Sequence, residues 1–249
     1  MVMIAIVNQK GGVGKTTAAL HLALYAAESL RVLVVDMDRQ ANTTWFFLGD
    51  QKPSGFVASL LFTESGGGDA EPLRISDNLS IIPADREGLL GISDEVSRLP
   101  RKHLSAIKGF DLVVIDTPPA QGGAQSSALA AASCYLTPIG LDKQSEEGLK
   151  GLLLDIRHIR ARFNPRLAHI GILANRFNTR SVQQRKRFQR LLADYGEHVL
   201  PIALAERAAV STTYEERVPV WHASRNGGQR VAGKEMRKVC ASILGRAMK

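Results

Sequence analysis

A glycine-rich stretch at residues 9–17 reads QKGGVGKTT and separates an apolar run from a run rich in Ala and Leu. The apolar run, residues 3–8, has the length of a buried strand, and residues 15–29 predict a helix. Glycines let the backbone turn with its N–H groups pointing inward, and the N-terminus of a helix adds partial positive charge. We therefore expect a strand, a phosphate-binding turn and a helix, in that order.

The same alternation of strand and helix continues along the chain. Further strand-like runs lie at residues 32–36, 79–83, 112–116, 135–139 and 170–175, and further helices at residues 145–163, 181–195 and 229–248. Nearly continuous apolar strands are typical of a sheet covered on both faces. The pattern predicts an α/β fold with a doubly wound, mostly parallel sheet and helices on both faces. Residues 53–77 are expected to form a short helix and then a flexible loop.

The turn carries two side chains with distinct roles toward a nucleotide. Lys15 would reach the β- and γ-phosphates, and the hydroxyl of Thr16 would ligate Mg²⁺. The motif differs from the plain P-loop pattern, because Gln9 stands where the first glycine is expected and a second lysine, Lys10, follows it. The form KGGVGKT is the deviant Walker A motif.

With this motif, the chain resembles the ParA/MinD family of P-loop ATPases over nearly its whole length. The resemblance implies ATP and Mg²⁺ as cofactors and an ATP-dependent homodimer in which Lys10 reaches the partner subunit's nucleotide. Together with Lys15 and Asp38, Lys10 would form the catalytic set. The nucleotide-binding residues implied in the turn are Gly11, Gly12, Val13, Gly14, Lys15, Thr16 and Thr17.

Two apolar strands end in carboxylates. Residues 32–38 read VLVVDMD, and alternation along a strand would aim Asp36 and Asp38 the same way. Residues 112–119 read LVVIDTPP, so Asp116 has the form of a Walker B carboxylate. By resemblance, Asp38 positions the attacking water, and Asp36 and Asp116 belong with Thr16 to the Mg²⁺ shell. The family usually has proline after the second aspartate, whereas this chain has Arg39, which leaves the local conformation open.

Asn175 follows the last predicted strand and matches the asparagine with which family members read the adenine ring. Pro201 and residues 215–219 resemble loops that flank the base. An asparagine at the end of a strand is also an ordinary turn residue.

Positive charge is concentrated in the second part of the chain, although the net charge is only +8. Residues 157–193 contain ten Lys or Arg and no acidic residue. Such a surface suits a polyanion, although a basic solvated surface is the alternative. By resemblance, we expect DNA binding without sequence preference. The candidate DNA-binding residues are Arg176, Arg180, Lys186, Arg187, Arg190, Arg225 and Arg230.

The helix at residues 181–195 carries an apolar stripe at helical spacing. Phe188, Leu191, Leu192 and Tyr195 would face the core. Lys186 and Arg190 then lie almost opposite this stripe and Arg187 lies on its flank, so all three can point to solvent.

We expect one domain, residues 1–249, with no N-terminal helix-turn-helix domain, because the glycine-rich turn starts within the first ten residues. The absence of a signal-like start predicts a cytoplasmic protein. By resemblance, we expect association with the nucleoid and a ParB-like adaptor as activator, and we expect no membrane partner. A MinD-like membrane regulator is the alternative, since residues 236–249 are weakly amphipathic. An iron-protein reductase is a third, but Cys134 and Cys240 are better interpreted as buried small side chains.

Overall fold

A seven-stranded sheet forms the centre of the computed structural model, which describes residues 1–93, 98–119, 122–222 and 227–249. The strands are β1 (Val2–Ile6), β2 (Val32–Asp36), β3 (Leu73–Ser76), β4 (Leu79–Ile82), β5 (Leu112–Asp116), β6 (Cys134–Ile139) and β7 (Ala168–Ala174). Their order is β3-β4-β2-β5-β1-β6-β7, and every pair is parallel except β3 with β4. The predicted, mostly parallel sheet is confirmed.

Helices cover both faces of this sheet. They are α1 (Lys15–Ala26), α2 (Asn42–Leu48), α3 (Leu99–Ala106), α4 (Gly123–Ala131), α5 (Lys143–Arg162), α6 (Val182–Tyr195), α7 (Ala208–Glu215) and α8 (Gly227–Ala247). Side chains of β1 alternate between two cores: Ile4 and Ile6 pack with residues of α1 and α8, whereas Met3 and Ala5 pack with residues of α3, α4 and α5. The doubly wound α/β class predicted from the sequence is therefore correct.

The register of the central strands brings the predicted site residues to one edge of the sheet. Asp116 at the end of β5 pairs with Ile6 of β1 on one side and with Asp36 of β2 on the other. Carboxyl ends of parallel strands are where ligands bind in open α/β sheets. The glycine-rich turn after β1 and both carboxylates therefore meet at this edge.

The structure differs from the prediction mainly in the short elements. Residues 53–77 contain the expected short helix, a 3₁₀ helix at Ala58–Phe62, but they end in β3 rather than in a loop. This edge strand was missed because it is short, largely exposed and interrupted by a bulge after Arg74. Helices α2, α3, α4 and α7 were also not predicted, and most residues of α2, NTTWFFL, have low helical propensity.

Candidate functional site

The phosphate-binding turn joins β1 to α1 and depends on two glycines. Gly12 and Gly14 have φ values of 73° and 90°, in the left-handed region that favours glycine. Directly after β7, Asn175 donates from Nδ2 to the carbonyl oxygen of Val13 at 2.8 Å. A Cβ atom on residue 14 would lie 2.0 Å from that Nδ2 atom. Position 14 therefore needs glycine both for its backbone conformation and for the close approach of Asn175.

A cavity of about 500 Å³ opens beside this turn. Gly11, Gly12, Gly14, Lys15, Thr16 and Thr17 line it from the turn and the start of α1. Asp38 and Asn175 line it from the ends of β2 and β7, and Glu215 lines it from α7. Pro201 is not among the described lining residues. The predicted phosphate-binding residues, except the buried Val13, thus share one cavity with the predicted adenine-binding residue.

The outer wall of the cavity was not predicted. Glu206 and Arg207 line it from the segment before α7, and Arg207 is held by an ion pair to Glu235 of α8 (Nη2 to Oε1, 2.6 Å). Tyr214 of α7 also lines the cavity, and its hydroxyl donates to the carbonyl oxygen of Asn42 at 3.0 Å. No local pattern marked these residues, because they meet only through the packing of α7 and α8.

Lys15 is buried at the start of α1. Its Nζ donates to the carbonyl oxygen of Lys10 at 3.1 Å, so the side chain of Lys15 lies against the turn. Burial lowers the pKa of Lys15 below its usual value, whereas the negative charges of Asp116 and Asp38 raise it. The ammonium group therefore lies at the turn with part of its hydration removed, as a phosphate-binding cation should.

Asp116 is fully buried, and its two carboxylate oxygens differ in their partners. Oδ2 accepts hydrogen bonds from Oγ1 of Thr16 and from Oγ1 of Thr43, each at 2.8 Å. Oδ1 has no hydrogen-bond partner among the described residues. A buried carboxylate oxygen without a donor is costly, so Oδ1 is suited to accept from a ligand that enters the site.

Asp36 and Asp38 do not share one environment. Asp36 is fully buried, and its Oδ2 accepts from the backbone N and from Oγ1 of Thr44, both at 2.8 Å. Asp38 lines the cavity, and its Oδ1 accepts from the backbone N of Gln40 at 2.9 Å. Arg39, which follows Asp38, is exposed. Asp38 is thus the carboxylate at the cavity wall, whereas Asp36 is engaged in the packing beneath it.

Burial dominates the acidity of the two innermost carboxyl groups. It raises the pKa of Asp36, and the neighbouring Asp116 raises it further. Burial likewise raises the pKa of Asp116, although the hydroxyl groups of Thr16 and Thr43 oppose this shift. Ionisation of both carboxyl groups is therefore unfavourable in the nucleotide-free site, and a bound cation would favour their charged forms.

These residues fit a magnesium ion held together with a nucleotide. Among the described residues there is no group of three or more His, Cys, Asp or Glu side chains that could hold a metal ion alone. Mg²⁺ prefers oxygen ligands and commonly takes only one or two from the protein, with phosphates and waters completing its shell. The Thr16 hydroxyl and the unpartnered oxygen of Asp116 are donors of this kind.

Lys10 does not point at the turn to which it belongs. Its Nζ forms an ion pair with Oδ1 of Asp142 at 2.6 Å and donates to Oγ of Ser145 at 3.2 Å. Asp142 is also the N-cap of α5, because its side chain accepts from the backbone N of Ser145. In the single subunit, the predicted intersubunit lysine is therefore fixed to the start of α5, with its side chain about one third exposed.

Arg176 is exposed and also lines the cavity beside the turn. It has a left-handed φ of 55°, and its Nη1 donates to the carbonyl oxygen of Gly12 at 3.2 Å. Its Nε and Nη2 both donate to Oε1 of Glu206. This candidate DNA-binding residue thus connects the turn to the outer wall.

The other candidate DNA-binding residues fall into two groups. Arg180, Lys186, Arg190 and Arg230 are exposed, whereas Arg187 is half-buried and paired with Glu146 of α5 (Nη1 to Oε2, 2.9 Å). The prediction that Arg187 faces solvent with its neighbours is wrong, because α6 packs on α5 through this ion pair. Leu192 is 41% exposed, so it does not complete the apolar stripe. Arg225 lies outside the described residues.

The last helix packs into the core. Met236, Val239, Cys240 and Ile243 of α8 are buried with residues of α1, as expected for a packing helix rather than an amphipathic anchor. No helix in the described ranges combines the length and apolar character needed to cross a membrane. Cys134 and Cys240 are both buried, and burial raises the pKa of each thiol to about 12. Their interpretation as small buried side chains is confirmed.

A buried histidine, not predicted from the sequence, supports the first turn of α1. The Nδ1 atom of His21 lies 2.8 Å from the carbonyl oxygen of Thr17, and its Nε2 accepts from the backbone N of Val220 at 3.2 Å. Nδ1 must therefore carry the proton in the neutral ring. Burial lowers the pKa of His21 to about 4.

We expect His21 to make the protein sensitive to mild acid. Its folded-state pKa lies below its ordinary value of 6.5, so the unfolded chain binds the extra proton first and stability falls as pH drops from 6.5 toward 4. The full shift corresponds to about 3 kcal/mol. Urea unfolding at pH 7 and pH 5 should show a shallower loss of stability for His21→Gln than for the wild type.

His158→Gln, on the exposed side of α5, is the control and should retain the wild-type loss. An identical loss in His21→Gln and the wild type would contradict the assignment to His21.

The chain is similar over most of its length to a known family and to two partitioning proteins. A family model described as an AAA domain matches residues 1–169. The chromosome-partitioning ATPase Soj of Thermus thermophilus is 36% identical over 225 residues, 87% of this chain and 88% of that protein. The chromosome partitioning protein ParA of Caulobacter vibrioides is 30% identical over 220 residues, 84% of this chain and 82% of that protein.

Solved structures agree at the level of the fold. The ATP complex of a McdA variant from Cyanothece has a TM-score of 0.84 at 20% identity, and the match covers 98% of this chain and 96% of that chain. At this identity the likeness extends to the P-loop fold alone.

Proposed function

Because this chain belongs to the ParA/Soj family of partitioning ATPases, we propose that it is an Mg²⁺-dependent ATPase that dimerises on ATP and binds DNA without sequence preference. In this role it positions a plasmid, a chromosome region or another cargo on the nucleoid. A ParB-like adaptor on the cargo stimulates hydrolysis. The observation that carries the proposal is the cavity in which the glycine turn, Lys15, Thr16 and Asp38 converge, next to Asp116.

The roles of the site residues follow from what each side chain can offer. The backbone N–H groups of the turn and the buried ammonium of Lys15 bind the phosphates. Thr16 and Asp116 would hold the magnesium ion, which when bound would neutralise charge on the phosphate oxygens. Asp38, at the cavity wall, orients the attacking water. Asn175, with its amide already held against the turn, and the segment around Tyr214 enclose the base.

Dimerisation gives Lys10 its function. The lysine lies at the rim of the site and is partly exposed, so it can leave Asp142 and reach a nucleotide in a second subunit. Two subunits then close over their nucleotides, and hydrolysis removes the phosphate that holds them together. The free energy of binding ATP is thereby coupled to the dimeric state.

DNA binding is assigned to the exposed basic side chains of α6 and its surroundings. Arg180, Lys186 and Arg190 are exposed, and none of them is in an ion pair among the described residues. Phosphate contacts of this kind position a protein on DNA without reading bases. Two copies of the surface in a dimer would double the number of phosphates contacted, so binding should depend on ATP.

The test is binding to a non-specific DNA duplex with ATP, with ADP and without nucleotide, at two salt concentrations. We expect binding only with ATP and a steep loss at higher salt, because bound phosphates release counterions. Lys186→Glu/Arg190→Glu should weaken binding by about 10-fold or more and reduce the salt dependence. Fluorescence anisotropy of a labelled duplex measures both quantities.

Lys102→Glu/Lys108→Glu, two exposed lysines in and after α3, reverse the same amount of charge elsewhere and should retain most of the affinity. Equal losses in the two double variants would point to overall charge rather than to α6. No binding of the wild type with any nucleotide would remove the DNA-binding part of the proposal.

A further inference from the structure

Helix α2 brings two adjacent threonines under the ends of β2 and β5. Thr43 and Thr44 lie in its first turn, after Ala41 with a left-handed φ of 56°. Their relative exposures are 0% and 4%, although threonine hydroxyls are ordinarily solvated. Buried hydroxyls need partners, and here each one donates to a different carboxylate.

Thr43 binds the carboxylate that faces the predicted metal site. Its Oγ1 donates to Oδ2 of Asp116 at 2.8 Å, the same oxygen that accepts from Thr16 at 2.8 Å. The two donors approach from different elements, since Thr16 belongs to α1 and Thr43 to α2. Together they fix the rotation of the carboxylate and leave Oδ1 as the oxygen without a described partner.

Thr44 has a different task. Its backbone N and Oγ1 both donate to Oδ2 of Asp36, and its Oγ1 accepts from the backbone N of Ala84 at 2.8 Å. These bonds connect α2 to β2 and to the segment after β4. Thr44 thus holds elements of the fold together, and none of the hydrogen bonds in the described part of the chain joins it to Asp116.

We propose that Thr43 is a positioning residue for the magnesium site and acts through Asp116. The inference rests on the proposed function and adds a residue that neither the glycine-rich turn nor the strand ends identify. Thr43 holds Oδ2 from the side of α2, so that Oδ1 would stay available to the ion or to its water. Outer-shell partners of this type usually change metal affinity about 10- to 100-fold when removed.

The experiment titrates Mg²⁺ into the full chain in the presence of a fluorescent ADP analogue and records the Mg²⁺ concentration at half-maximal effect. Thr43→Val keeps the shape of the side chain and removes the hydroxyl, so we expect this concentration to rise about 10-fold or more. Nucleotide affinity in EDTA should stay at the wild-type value. Electron paramagnetic resonance of Mn²⁺ with ADP provides a second, activity-free readout of the metal.

Two matched variants separate positioning from folding. Thr43→Ser restores a hydroxyl at the same place and should restore the wild-type Mg²⁺ response. Thr44→Val should lower the melting temperature because it breaks the bonds to Asp36 and Ala84, yet leave the Mg²⁺ midpoint near the wild-type value. If Thr43→Val does not fold, Thr43→Ala removes the same hydroxyl with a smaller side chain.

An unchanged Mg²⁺ midpoint in the folded Thr43 variant, or a Thr43→Ser variant as impaired as Thr43→Val, would overturn the inference while the ATPase proposal stands. A wild-type chain whose nucleotide binding does not respond to Mg²⁺ at all would overturn both. The two failures are therefore distinguishable in one series of titrations.

Discussion

Lys15→Met is expected to lower the affinity for ATP by about 100-fold, because it removes a buried, charge-assisted contact to the phosphates. The side chain is buried at the turn, and the ion pair of Lys10 with Asp142 keeps the other lysine of the motif away. Methionine has a similar length and is apolar, so the fold should be retained. Equilibrium binding of a fluorescent ATP analogue measures the change.

Lys150→Met, on the exposed side of α5, serves as the control and should bind like the wild type. ATP binding by Lys15→Met within about threefold of the wild type would show that the turn amides alone supply the affinity, against the role assigned to Lys15.

Asp116→Asn should have opposite effects on the nucleotide-free and the magnesium-bound protein. Burial raises the pKa of both Asp116 and Asp36 above the ordinary value for aspartate. Both pKa values are therefore higher in the folded protein than in the unfolded chain. As the pH rises above about 4, the unfolded chain releases its protons first, so the stability of the folded protein falls. At pH 8 the neutral amide should therefore stabilise the nucleotide-free protein, and the gain should shrink at pH 6.

The same substitution should abolish most of the stabilisation that Mg²⁺ and ADP give the wild type, because the amide is a poor ligand for a hard cation. Thermal unfolding measures both effects, and each kcal/mol corresponds to about 2–4 °C for a chain of this size. Asp50→Asn, at an exposed position after α2, controls for loss of negative charge. If nucleotide-free Asp116→Asn is less stable than the wild type at pH 8, the claim that ionised Asp116 beside Asp36 destabilises the nucleotide-free protein is wrong.

The sequence predicted the sheet and the phosphate end of the site because both depend on local signals. The turn at residues 9–17 needs particular residues at fixed spacing, and Asp36 and Asp116 end apolar strands that are easily recognised. Parallel pairing then forces those ends together. The fold class and the convergence of these residues could thus be inferred from the sequence alone.

The missed features depend on contacts distant in the chain. Thr43 reaches Asp116 across 73 positions, and Arg207 reaches Glu235 across 28. Helix α2 itself has a sequence with low helical propensity, so only its packing under the sheet edge explains it. The error at Arg187 has the same origin, because helical periodicity defines an outward face but does not say which neighbouring helix covers it.

The contact between Lys10 and Asp142 bears on how readily the proposed dimer can come apart. An unpaired lysine would contribute the full free energy of a new ion pair to dimerisation. Lys10 must first break its ion pair with Asp142. Association is then an exchange of partners, and the net gain is the small difference between two similar interactions. A dimer formed by such an exchange would have only a small free energy of association from Lys10. Loss of a single phosphate group would then be enough to favour the separate subunits.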